Sequence, residues 1–239
     1  FERRHPGIRV VVQQIPWTAA HEKLLTAFVA GATPDLAQVG NSWVPEFHAI
    51  GALEPLDAWA SRAGIAVPRA DYFPGIWDTN VVDGALLGIP WYVDTRVLFY
   101  RVDLLAEVGV NQAPRTWDAW RDAMVRLRAR PGVERYPVLL PVNEWAHPVI
   151  LAMQLGAPLL RDGDRFGNFQ EERFRRAFTF YTGLFADGLA APVTHNQIAN
   201  LYQQFSAGDF AMYSSGPWNV GEFRRRAPEI AGRWTTAPM

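Results

Sequence analysis

The run from Gly84 to Arg101, GALLGIPWYVDTRVLFYR, narrows the possible folds more than any other stretch of the chain. Asp83-Gly84 ahead of it suits a tight hairpin turn, because both residues tolerate positive φ. A short apolar strand follows and stops at Pro90, which cannot donate to an interior sheet ladder. Trp91-Tyr92-Val93-Asp94 then sets two large rings beside one carboxylate, and Val97-Leu98-Phe99-Tyr100 starts a second strand-like run. Two strands with a polar, aromatic joint describe a crossing from one domain to another. A cleft between domains buries much of a small molecule while a few polar groups orient it, so this joint is a candidate ligand site.

The length, 239 residues, accommodates one large domain or two of about 120. With 49% hydrophobic residues the chain can build a sizeable core, and no apolar run approaches the roughly 18–20 residues of a membrane span. A formal net charge of −1 supplies no field for nucleic acid or an acidic membrane. Lys23 is the only lysine, and the arginine runs Arg173-Phe174-Arg175-Arg176 and Arg224-Arg225-Arg226 read as solvated helix faces. The absence of cysteine excludes disulfides, thiolate metal sites and a cysteine nucleophile, and fits an exported bacterial protein. The chain opens at Phe1 rather than Met, so residues ahead of it are expected. His5, His21, His48, His147 and His195 are scattered without metal-ligand spacing, and neither a Walker loop nor a dinucleotide-binding glycine fingerprint occurs, so no metal and no cofactor is expected. Ten tryptophans are the unusual feature. Each needs a partner for its N–H when buried, so the surplus belongs either to a large core or to rings that stack on a ligand.

Taken in order, Phe1 to His5 reads as a helix tail ended by Pro6-Gly7, and Ile8 to Val12 reads as a β-branched strand. A helix is expected from about Ala19 to Ala30, and Leu36 to Val39 is expected to be a second strand. Strand, helix, strand is a right-handed parallel unit whose ligand end carries Trp17 and Asn41-Ser42-Trp43. Short helical pieces are expected at Val44–Ile50, Leu56–Ala60 and Tyr72–Trp77. Beyond the central run, Val102–Val108 reads as a helix. Thr116 is an N-cap for the next one, whose Trp117, Trp120, Met124 and Leu127 recur at core spacing until Pro131-Gly132. Val138-Leu139-Leu140 is strand-like, and the loop Asn143-Glu144-Trp145 leads into a helix ending near Leu155. The longest helix spans about Gln170 to Ala186, with Phe174, Ala177, Phe178, Tyr181 and Phe185 inward, and another spans Gln197 to Ala207. Asp209 to Tyr213 is then a strand, and Ser214-Ser215-Gly216-Pro217-Trp218-Asn219 turns into a last helix whose free N–H groups can hold ligand oxygens.

Gly84 to Leu105, Arg115-Thr116-Trp117, Phe205-Ser206-Ala207-Gly208-Asp209-Phe210-Ala211-Met212 and Gly216-Pro217-Trp218 occur in an order and spacing that resemble the extracytoplasmic solute-binding proteins of ABC sugar importers. The maltose- and trehalose-binding members are nearest in style, and the resemblance runs from Phe1 to Met239, including Pro34-Asp35. It implies an α/β fold, the type II periplasmic-binding-protein fold, with two lobes that are each a mixed sheet flanked by helices. The lobes are expected at residues 1–95 and 96–239, with a hinge crossing at Thr95 to Val97. It further implies that a first strand precedes Phe1 and that the chain crosses back after Ala237-Pro238-Met239. Carried over by position, Asp94 is the carboxylate for sugar hydroxyls and Tyr92 and Trp218 are rings in the cleft, Trp218 being the stacking platform. Asn41, Ser42 and Trp43 face Asn143, Glu144 and Trp145 from the opposite lobe, and Trp17, Gly216 and Asn219 complete the implied substrate-binding set. The implied partners are a sugar and the transmembrane permease subunits. The protein is then monomeric, non-enzymatic, and periplasmic or otherwise extracytoplasmic, with a lipid anchor as one form of attachment.

Sugars present hydroxyls around apolar C–H faces, so carboxylates and amides beside flat rings suit them, charged acceptors making the stronger bonds. Asp94 and Glu144 also admit a glycoside hydrolase, which uses two carboxylates about 5–10 Å apart and needs one of them with a raised pKa. Asp94 among Trp91 and Tyr92 admits a third reading, an amino-acid or polyamine binder on the same scaffold.

Overall fold

The computed structural model describes residues 1–64, 67–130 and 136–239, and the contacts separate the chain into two compact units, Phe1–Val93 and Asp94–Met239. The first unit is mostly helical: α1 (Trp17–Val29), α2 (Val44–Ala49), α3 (Asp57–Ala63) and α4 (Pro74–Asp78), followed by the hairpin β1 (Val81–Val82) and β2 (Ala85–Leu86). Val82 pairs with Ala85 across Asp83-Gly84, both at positive φ of 50° and 80°, which is the two-residue turn that matches strand twist. The hairpin is anchored from outside its own ladder. Leu56 N–H donates to Leu86 O at 2.7 Å, and Leu86 N–H donates to the Asp57 carboxylate at 2.9 Å.

The strand, helix, strand unit expected at the start is not formed. α1 is present, but residues 8–12 and 36–39 belong to no ladder among the described residues, and Val11, Val12 and Leu36 stand exposed. β-Branched residues favour a strand only when a neighbour supplies both the hydrogen bonds and the packing surface, and among the described residues no strand pairs with either segment. The first unit therefore shows a hairpin in place of the expected mixed sheet. Phe1 to His5 forms turns in place of a helix end.

The second unit is built on a four-stranded mixed sheet. It contains β3 (Val97–Arg101), α5 (Val102–Ala106), α6 (Trp117–Arg128), β4 (Val138–Leu139), α7 (Ala146–Gln154), the small hairpin β5 (Leu160–Arg161) and β6 (Phe166–Gly167), α8 (Glu172–Ala186), α9 (Leu201–Ala207), β7 (Met212–Ser215), α10 (Trp218–Arg226) and β8 (Trp234–Pro238). The sheet order is β4-β7-β3-β8, with β3 antiparallel to β7 and β8 and β4 parallel to β7. Register and pleat sort the strand residues onto two faces. Leu98, Met212 and Val138 pack with Leu105, Trp120, Met124, Leu151 and Leu184 on one side, whereas Phe99, Tyr213 and Leu139 pack with Phe205, Phe223 and Ile230 on the other. A sheet covered on both faces needs continuous apolar strands, which is why Val97 to Tyr100 reads so clearly in the sequence.

Helix α6 begins where expected, with Thr116 Oγ1 accepting from Ala119 N–H at 3.2 Å, and Trp120, Met124 and Leu127 are buried. Trp117 lies at the core edge, stacked on Phe180 with its N–H donated to Gln154 at 2.7 Å. The stop assigned to Pro131-Gly132 lies outside the described residues. In α8 the buried stripe is Ala177, Tyr181 and Leu184, and Phe178 faces outward, one helical step from the expected face. The helix expected over Gln197–Ala207 is broken in two, because Asn200 caps α9 by accepting from Gln203 N–H at 3.3 Å. Strand β7 begins three residues later than expected and runs through Ser214 and Ser215, whose polarity hides a fully buried strand.

Candidate functional site

In the second unit, four loops and helix ends bring polar and aromatic groups together. Arg96 stands just ahead of β3, Glu144 just ahead of α7, His195 in the single turn of 3₁₀ helix at His195–Gln197, and Trp218 at the first residue of α10. Glu144 Oε2 accepts from Arg96 Nη2 at 3.1 Å, its Oε1 accepts from the backbone N–H of Ala146 at 3.1 Å, and His195 Nε2 approaches Oε2 at 3.9 Å. The carboxylate thus caps the first turn of α7 as well as pairing with arginine. Burial alone pushes its pKa up, but His195, the Ala146 N–H and Arg96 outweigh burial and hold it at about 2. Asn143 fixes the same loop by accepting from the His195 backbone N–H at 2.9 Å.

The Arg96 guanidinium carbon lies 5.1 Å from the Trp218 ring centroid, a cation–π contact, and the ring remains 49% exposed. Gly216 makes this ring position possible. A Cβ on Gly216 would fall 1.7 Å from Trp218 Cζ3, so any side chain there drives the indole out. Trp145 on the neighbouring loop is 65% exposed. Beneath Trp218, Asn219 is turned inward at 2% exposure, accepting from Tyr202 Oη at 2.8 Å and donating to Ser215 Oγ at 2.7 Å. Its amide holds the floor of the site, and the ligand-facing role expected of it does not match this orientation.

His147, one residue into α7, is 1% exposed, with Nε2 at 3.4 Å from Ser214 O and its ring 6.4 Å from that of Tyr181. Burial, opposed by Glu144, pushes its pKa down to about 4, so it is neutral at pH 7, and its Nδ1 has no hydrogen-bond partner among the described residues.

The first unit carries a separate aromatic cluster. Trp17 opens α1 and stacks on Trp43 at 4.7 Å, His21 meets the edge of Trp43 at 5.0 Å and stacks on Phe47 at 5.5 Å, and His21 Nε2 is 2.7 Å from Glu46 Oε2. Asn41 and Ser42 lie exposed in the 3₁₀ turn that presents Trp43. Tyr92 accepts from Gln38 at 2.6 Å and lines a cleft of about 430 Å³ with Asp71, Phe73 and Trp91. Asp94 is exposed and has no polar partner among the described residues.

Of the expected site residues, Trp17 and Trp43 meet in the first unit, and Glu144 and Trp218 each meet Arg96 in the second. Arg96, His195, His147 and Tyr202 stand around them without being among the expected site residues. Arg96 directly follows Asp94-Thr95 in the central run, and its place just before a buried strand is the one signal that marks it. Among the described residues no group of three or more His, Asp or Glu side chains is placed to hold a metal ion, and no helix is long and apolar enough to cross a membrane.

Residues 1–238 match the model of the family described as bacterial extracellular solute-binding protein. Among solved structures, the chain is similar to the sugar-binding protein MalE of Xanthomonas citri, at 49% identity and a TM-score of 0.79, covering 100% of this chain and 60% of that one. It is also similar to an ABC transporter solute-binding protein of Thermotoga lettingae bound to α-D-tagatose, at 27% identity and a TM-score of 0.84, covering 99% and 61%. A curated relative, the arabinooligosaccharide-binding protein of Halalkalibacterium halodurans, is 23% identical over 97% of this chain and 52% of its own length. The chain spans about half the length of the curated relatives that it matches nearly end to end. These likenesses give it the α/β two-lobe architecture of type II periplasmic-binding proteins. The chain belongs to the bacterial extracellular solute-binding protein family.

Proposed function

We propose that the protein containing this chain binds a sugar outside the cytoplasm, without chemically altering it, and hands it to the permease of an ABC importer. The observation that carries the reading is the half-exposed Trp218 ring with Arg96 over it and Glu144 behind Arg96. A flat apolar surface beside charge-assisted hydrogen-bonding groups complements the C–H face and hydroxyl rim of a pyranose. The exposed Trp17, stacked on the half-buried Trp43 of the first unit, and the exposed Trp145 are of the same chemical kind. The sugar-binding MalE of Xanthomonas citri and the arabinooligosaccharide-binding relative support a carbohydrate ligand, and within that class we place a disaccharide such as maltose or trehalose first.

Glu144 does not fit the acid of a glycosidase pair. With its pKa held at about 2 it carries no proton to donate at neutral pH, the opposite of a glycosidase acid. The test is calorimetric titration of the full-length gene product and its Trp218→Ala variant with maltose and trehalose. Loss of a stacking platform weakens binding by about 1–3 kcal/mol, five- to 150-fold, on the scale of hot-spot aromatics. Unchanged affinity removes Trp218 from the site.

A further inference from the structure

Within the sugar-binding reading, we propose that Arg96 is the side chain through which the second unit grips ligand oxygens, and that Glu144 is its positioning residue and does not touch the ligand. Glu144 is occupied by its own unit. One oxygen accepts from Arg96 and the other from the Ala146 N–H, with His195 closing on the first. Both partners are partly screened from solvent, with 21% of the Arg96 side chain and 18% of the Glu144 side chain exposed. Arg96 is differently placed. Its Nη2 is engaged by Glu144, while its other N–H donors make no hydrogen bond among the described residues. A guanidinium carries five donors in a rigid plane and no acceptor. The guanidinium lies against Trp218, whose ring stays half exposed, so a sugar stacked on that ring brings its hydroxyl and ring oxygens close to these donors.

The arrangement also selects ligand class. Groups facing Arg96 must be hydrogen-bond acceptors, and the Glu144 charge is already matched by Arg96, so a cationic amine finds no unpaired carboxylate here. A neutral or acidic sugar is accepted, and the amine reading is disfavoured because Glu144 is already engaged. Glu144→Gln is then damaging only because it lets Arg96 leave the ring.

A double-mutant cycle separates the two roles. Arg96→Ala, Glu144→Gln and the double variant are made in the full-length gene product. Each is titrated calorimetrically with whichever of maltose, trehalose and sucrose binds the wild type best. Arg96→Ala is expected to weaken binding about ten- to 100-fold, as for a lost charge-assisted hydrogen bond. Glu144→Gln is expected to weaken it less, and the double variant no further than Arg96→Ala alone. Arg96→Lys keeps the charge but not the plane and is expected not to restore affinity. A ligand-free readout stands beside the cycle: Arg96→Ala and Glu144→Gln should produce the same change in tryptophan emission, and Trp218→Phe should abolish it. Additive losses in the cycle, or a Glu144→Gln protein whose emission is that of the wild type, overturn the division of roles while sugar binding stands. A wild type that binds none of the three sugars overturns the sugar reading and this inference with it.

Discussion

Lowering the pH from 7 to 5 should destabilise the second unit chiefly through His147. The imidazole is buried at the start of α7, faced by the Ser214 carbonyl, the Tyr181 ring and the charges of Glu144, Arg96 and His195. Its pKa is about 4 in the folded protein against an ordinary 6.5. Because the folded value is the lower one, the unfolded chain binds the extra proton, and stability is complete above about pH 6.5 and drains as the pH falls toward 4. Integrating between pH 7 and pH 5 gives a loss of about 2 kcal/mol from this residue. Glu144, depressed from 4.5 to about 2, follows the same sign in a lower window, below about pH 4.5, and contributes only a few tenths of a kcal/mol between pH 7 and 5. The assay is urea denaturation at both pH values for the wild type and for His147→Gln, which cannot titrate. The difference in unfolding free energy between pH 7 and 5 should be smaller in the variant by about 2 kcal/mol. Equal pH dependence in the two proteins refutes the assignment of a neutral buried His147.

Two substitutions probe the frame around the site. Gly216→Ala places a methyl inside the present position of the Trp218 ring, so the indole must swing away from Arg96; the tryptophan emission should shift and sugar affinity should fall at least fivefold, with the fold intact by circular dichroism. Phe99→Ala empties the middle of the core formed with Tyr213, Phe223 and Trp234, and thermal or urea unfolding should show a loss of about 3–5 kcal/mol.

What the sequence revealed of this molecule follows from how local each determinant is. The Asp83-Gly84 turn and the Thr116 cap are set by a few adjacent residues, and both stand where the sequence puts them. The core faces of α6 and of β3 follow from periodicity against a sheet covered on both sides. The misses depend on partners distant in sequence. Residues 8–12 and 36–39 carry strand-forming side chains but have no ladder neighbour among the described residues, whereas Ser214 and Ser215 are strand residues because β3 pairs with them. The site divides in the same way. Surplus tryptophans are visible as a compositional excess, and five of the ten, Trp17, Trp59, Trp91, Trp145 and Trp218, do expose their rings. Arg96 gains its role only when Glu144, 48 positions away, and Trp218 fold against it, which no local pattern announces. Asn219 illustrates the reverse: an amide in a promising turn, whose partners Tyr202 and Ser215 turn it into the floor.

Calorimetric titration of the full-length gene product with maltose, trehalose and sucrose, each mixture assayed afterwards for released monosaccharide, tests the sugar-binding account most directly. The account predicts saturable micromolar binding of at least one disaccharide, about −8 kcal/mol, with the sugar recovered intact. Absence of heat with all three, or accumulation of hydrolysed product, contradicts it.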